Sequence, residues 1–296
     1  MELKSYLEEC RLNIDAALDG YLPADDTLPQ RLHQAIRYSM FAGGKRVRPI
    51  LMMAACQAVG GEMARVLPAA CAMEMIHTYS LIHDDLPAMD DDDFRRGRPT
   101  CHKVYGEALA ILAGDALLTE AFQLLSAPVD GQDVPAKTSR RVIHIIARCA
   151  GSMGMVGGQV VDMESEGRDI DLPTLEYIHT RKTGALILAS VQAGALLGGA
   201  DQKAFDALSR YAEAAGLAFQ VADDILDIVG DQALLGKDVG SDVARGKATF
   251  PALLGLEAAR QRAGELRDMA VDALADFDDR ADPLREIARY IVDRSF

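Results

Sequence analysis

The chain has 296 residues, a formal net charge of −14, and a composition that is 49% hydrophobic and 26% charged. This is a soluble globular composition with length enough for a sizeable core. Its acidity argues against a nucleic-acid partner or electrostatic docking on an anionic membrane. An anionic substrate would need local positive charge to override that field. The five cysteines (Cys10, Cys56, Cys71, Cys101, Cys149) are odd in number and lack a Cys-x-x-Cys spacing, so they read as reduced thiols of a cytoplasmic protein. The charged start Met1-Glu2-Leu3-Lys4 is not a signal peptide. The most apolar stretch, Ala185 to Ala200, is too short to span a bilayer, so no membrane insertion is expected.

Strong helix formers dominate, β-branched runs are scarce, and apolar residues recur at i, i+3, i+4 and i+7. In chain order this predicts helices over 2–19, 29–41, 48–59, 68–85, 101–125, 138–164, 173–181, 184–198, 201–228, 251–274 and 282–294. Pro68 is read as a helix start and Pro87 as a break. Gly230 to Ala248 is long, polar and Gly-rich, a candidate flap. No strand or hairpin pattern and no domain linker is evident. The expectation is an all-α, single-domain helical bundle over residues 1–296.

Two acidic clusters stand out. Asp84-Asp85-Leu86-Pro87-Ala88-Met89-Asp90-Asp91-Asp92-Asp93 packs six aspartates into ten residues, followed by Arg95-Arg96-Gly97. It is either a solvated loop or a site for hard divalent cations, whose remaining positions phosphate would fill. Asp84 and Asp90 are six apart, so the chain must turn back after Asp85 to bring them together. His77 lies one heptad before Asp84 on nearly the same helix face, as a core histidine or a site residue. Downstream, Asp223 and Asp227 share a helix face at i, i+4, and Gln220 joins them at i−3, amid apolar neighbours. Buried carboxylates need a cation, which favours metal over a solvated face. Short Gly-flanked basic groups lie at connections: Gly43-Gly44-Lys45-Arg46-Val47-Arg48, Arg181-Lys182-Thr183-Gly184, Gly236-Lys237 and Gly246-Lys247. No P-loop, Rossmann fingerprint, kinase motif set or catalytic triad is present. The pattern suggests two polyphosphate sites bridged by divalent metal.

At these residues the chain resembles the trans-isoprenyl diphosphate synthases, over nearly its whole length. The resemblance implies a helical bundle with a deep central cavity, usually a homodimer. It implies that Asp84, Asp85 and Asp90, with Asp223, Asp224 and Asp227, hold three Mg²⁺ ions (Mn²⁺ as a substitute) that bind an allylic diphosphate. Arg95, Lys182, Thr183, Gln220, Lys237 and Lys247 would contact that diphosphate, whether dimethylallyl or geranyl. Gly44, Lys45, Arg48, His77 and Arg96 would hold isopentenyl diphosphate. Asp84, Asp85, Asp90, Arg95, Lys182, Asp223 and Asp224 would carry the catalysis, head-to-tail condensation to farnesyl diphosphate.

Product length is expected to depend on the helix ending at Asp84. Tyr79, five residues back and about 7.5 Å along the axis, would be the floor by resemblance. Helix geometry alone favours Ser80, at i−4. If Tyr79 is ordinary core, a twenty-carbon product follows. A terpene cyclase is disfavoured because Asp227 and Asp231 depart from its second metal motif, and a non-catalytic partner subunit because both acidic motifs are kept.

Overall fold

The computed structural model describes residues 2–127, 134–229 and 248–293. Its helices are α1 (Leu3–Tyr21), α2 (Gln30–Met40), α3 (Val47–Ala58), α4 (Met63–Asp84), α5 (Cys101–Tyr105), α6 (Glu107–Ser126), α7 (Ala136–Ala150), α8 (Met155–Ser165), α9 (Leu172–Ile178), α10 (Ala185–Leu197), α11 (Gln202–Val229), α12 (Phe250–Leu254), α13 (Leu256–Asp272) and α14 (Asp282–Asp293). α3 and α10 are buried nearly all round, the signature of interior helices. α4 packs against α6, α3 and α10, and α11 against α10 and α13, so the ends of α4 and α11 that carry the acidic motifs belong to one core.

The structure corrects the predicted elements in several places. α4 begins at Met63, and Pro68 lies inside it. The lost backbone donor costs about 3 kcal/mol, which burial of Val66, Ala69 and Ala70 offsets. The predicted helices 101–125, 138–164 and 251–274 are each broken, at Gly106, at 151–154 and at Gly255. The junction after α9 is not a loop: a π-helical turn, His179–Gly184, joins α9 to α10. A small hairpin also departs from the expected all-helical pattern. β1 (Phe94–Arg95) pairs antiparallel with β2 (Arg98–Pro99). Its two-residue loop, Arg96-Gly97, has φ of +54° and +74°. Positive φ at both central positions marks a primed turn, and Gly97 is what permits it.

α6 is 20 residues with mean hydropathy 1.5, long and apolar enough to cross a membrane by length and composition. Much of its apolar surface is exposed, with Ile111 at 44% and Leu112 at 55%.

Candidate diphosphate and metal site

α4 ends at Asp84 because Pro87 and the turn after it end the helical ladder. The turn then reverses. Leu86 N–H donates to His83 O at 3.1 Å, Met89 N–H to Leu86 O at 2.8 Å, and Asp90 N–H to Asp84 O at 2.8 Å. This is the return that the spacing of the acids demanded. Asp84 is pushed up to about 6, first by burial, and Asp90 and Asp85 add to the shift while Lys182 and Arg95 oppose it. Asp85 is buried and bonded to Arg95, whose Nε donates to Oδ1 at 2.6 Å. Burial raises its carboxyl and Arg95 pulls it back. Arg95 also reaches Asp92 at 3.4 Å. A narrow cleft lined by Tyr38, Thr78, Ile82, Asp85, Arg95 and Arg96 reaches this motif from the side of α2.

The hairpin aims Arg96 across to the 43–48 loop, where it donates to Gly43 O. Gly44 has φ of +142°, and a Cβ there would strike the Arg96 guanidinium. Arg48 and Arg96 are like charges set beside His77. Burial, then Arg48, Arg96, Arg95 and Arg46, holds His77 well below its ordinary value and neutral. Burial pulls Arg48 down to about 10, opposed by Glu74 and reinforced by Arg96. Such a cationic surplus fits an anionic ligand. Lys45 is exposed on the same loop. Arg46, between Lys45 and Arg48, plays a different part. It is buried and bonds Asp15 Oδ1 and Glu74 Oε1 at 2.8 Å each, and Met40 O at 2.7 Å. It anchors the loop to α1 and α4.

Lys182 and Thr183 lie in the π-turn, an element often found at functional sites. Lys182 Nζ meets Asp162 Oδ2 on α8 at 2.6 Å. Burial draws its ammonium down, but Asp162, then Asp84 and Asp90, outweigh it and leave Lys182 raised. That coupling brings the π-turn and the first acidic motif together. On α11, Asp223 and Asp227 are half-buried one turn apart. Asp224, expected among the metal ligands, is held by partners within the protein. It is 5% exposed, and its Oδ2 accepts from His179 Nε2 at 3.1 Å and from Phe250 N–H at 2.9 Å. Gln220 meets the same histidine, its amide 3.4 Å from His179 Nδ1. On α4, Tyr79 is buried and meets His83 edge-on at 5.7 Å. Ser80 Oγ donates to His77 O at 2.9 Å within the same helix. Lys237 and Lys247 lie outside the described residues.

Three residues of this region carry no sequence expectation: Asp162, His179 and Gln159. Asp162 follows Gln159 by three residues in a mostly apolar stretch of α8, which was the available signal. Gln159 is 9% exposed, and neither amide atom has a partner among the described residues. The donor set of Asp84, Asp85, Asp90, Asp223 and Asp227 is all hard oxygen, which fits Mg²⁺. Among the described residues no three acidic, His or Cys side chains converge on one point.

The family model for polyprenyl synthetase matches residues 29–284, and the chain belongs to that family. It is 51% identical over 262 residues to a farnesyl diphosphate synthase of Geobacillus stearothermophilus, covering 88% of each chain. It is 48% identical over 294 residues to a geranylgeranyl diphosphate synthase of Cyanophora paradoxa, covering 99% of this chain and 97% of that one. The crystal structure of geranylgeranyl pyrophosphate synthetase from Pyrococcus horikoshii superposes with a TM-score of 0.89 at 31% identity, over 99% of this chain and 98% of that one. The protein is a trans-prenyltransferase of the farnesyl/geranylgeranyl diphosphate synthase type, with the all-α isoprenoid synthase fold.

Proposed function

We propose that the enzyme condenses isopentenyl diphosphate with dimethylallyl and then geranyl diphosphate to give (2E,6E)-farnesyl diphosphate. The observation that carries the fifteen-carbon product is Tyr79, a buried aromatic one and a half turns below Asp84, with its ring held against His83. Relatives of both product lengths align along the chain, so the reading rests on this floor.

In this reading Asp84, Asp85, Asp90, Asp223 and Asp227 hold Mg²⁺, three ions per site with Mn²⁺ as a substitute. When bound, Mg²⁺ supplies charge neutralisation for the departing pyrophosphate. Lys182, Thr183, Gln220 and Arg95 orient the allylic diphosphate, with Lys182 and Arg95 already placed by Asp162 and Asp85. Lys45, Arg48, Arg96 and neutral His77 hold isopentenyl diphosphate. The allylic C–O bond breaks and its electron pair leaves with pyrophosphate. The isopentenyl double bond then forms the new C–C bond, and a proton passes to pyrophosphate. No protein base is required, and buried apolar walls exclude water from the cation.

The exposed apolar face of α6 supports a homodimer, and five free thiols support a cytoplasmic setting. The test is to incubate the protein with Mg²⁺, isopentenyl diphosphate and dimethylallyl diphosphate, dephosphorylate, and resolve the alcohols by length. Farnesol is expected. Geranylgeraniol would overturn the product, and no elongation from any allylic starter would overturn the reaction. Sedimentation of the same sample tests the dimer.

A further inference from the structure

His179 binds neither diphosphate nor metal in the reading above, yet it joins three elements of the site. It opens the π-turn three residues before Lys182 and is 9% exposed. Both ring nitrogens are engaged: the Gln220 amide donates to Nδ1 at 3.4 Å, and Nε2–H donates to Asp224 Oδ2 at 3.1 Å. These partners select the Nε2–H tautomer. The same Oδ2 accepts the Phe250 N–H at 2.9 Å. The Phe250 ring stacks on the imidazole, with centroids 5.6 Å apart and planes 15° apart.

Gln220 and Asp224 are one turn apart on α11 and flank Asp223 in the chain. Holding both fixes the rotation of α11 about its axis, and with it the directions of Asp223 and Asp227. The other end of the π-turn is held by α8, where the Lys182 backbone leaves Gly158 no room for a Cβ and Asp162 takes the Lys182 ammonium. We propose that His179 is a positioning residue that sets the second acidic motif against Lys182 and Thr183. The proposal rests on the diphosphate–metal reading of the site. Misplacement by about 1 Å is enough to cost a hundredfold in rate.

The test uses the full chain and His179→Phe, which keeps ring volume and stacking but removes both hydrogen bonds. The expected result is a rise of about tenfold in the KM for the allylic diphosphate and in the half-saturating Mg²⁺ concentration. The KM for isopentenyl diphosphate should stay within about twofold. His179→Asn, which retains one hydrogen bond, should fall between, and it carries the test if the Phe variant does not fold. Unchanged constants would overturn the proposal. So would a uniform loss of activity that follows the folded fraction, since that is what a purely structural role predicts. A wild-type protein inert toward every allylic diphosphate would instead sink the reaction. Calorimetric Mg²⁺ binding in the presence of inorganic pyrophosphate then reads the same geometry without turnover, and equal affinity in wild type and His179→Phe would overturn the role of His179.

Discussion

The backbone N–H of Asp90 donates to the carbonyl oxygen of Asp84 at 2.8 Å, closing the turn around Pro87. Burial, with Asp90 and Asp85 nearby, raises the Asp84 carboxyl to about 6. A carboxyl raised in the native state binds more protons there than in the unfolded chain between about pH 4 and 6, so stability falls as pH rises through that window. Asp84 contributes about 1–3 kcal/mol to this fall, the lower figure allowing for partial solvation. We predict that the melting temperature of the metal-free protein falls relative to Asp84→Asn between pH 4 and 7, and that Mg²⁺ at pH 7 closes the gap. Parallel pH courses would refute this. The same variant should lose about a thousandfold in elongation rate.

Tyr79 is buried beneath Asp84 with its ring edge-on to His83. Tyr79→Ala should open the space below the motif and move the main product from fifteen to twenty or more carbons. Loss of the buried ring should cost about 3–5 kcal/mol. Chromatography of the dephosphorylated alcohols decides it: an unchanged fifteen-carbon product would remove Tyr79 as the floor.

Arg46 is paired with Glu74, which is only 2% exposed. Arg46→Ala leaves a buried carboxylate without its partner and should cost about 3–5 kcal/mol. Arg46→Met combined with Glu74→Leu should recover most of that, because neither change leaves a buried charge. The isopentenyl diphosphate KM should stay elevated in both, since Lys45 and Arg48 flank the lost anchor. Denaturant titration beside steady-state kinetics checks both halves. A KM that recovers together with stability would mean the loop does not need Arg46.

Gln159 has two buried amide atoms without a partner among the described residues. Replacing an unsatisfied amide by an apolar group of similar size is neutral or stabilising. Gln159→Leu should therefore match or exceed wild type in thermal stability. A fall in stability would show the amide is structural.

Much of this protein was legible locally. Helical periodicity, the acids around Asp84 and Asp223, and the Gly-flanked cations each depend on residues within a few positions of one another, which is the range of helix geometry. The need for a return after Asp85 followed from the same geometry. The hairpin at Arg96-Gly97 escaped notice because its strands are two residues each, too short for an alternating pattern. The breaks at Gly106 and Gly255 escaped because apolar spacing continues across them.

What the tertiary structure alone decided was which polar residues are held by partners elsewhere in the fold. Arg46 and Arg48 look alike in sequence, but Asp15 and Glu74 claim the first. Asp223 and Asp224 are neighbours, but His179 and Phe250, 45 and 26 residues from Asp224, bind the second. Lys182 is poised by Asp162 on another helix. A buried polar group goes to whatever partner the packing places beside it, and that partner lies on an element that neither periodicity nor local spacing can identify.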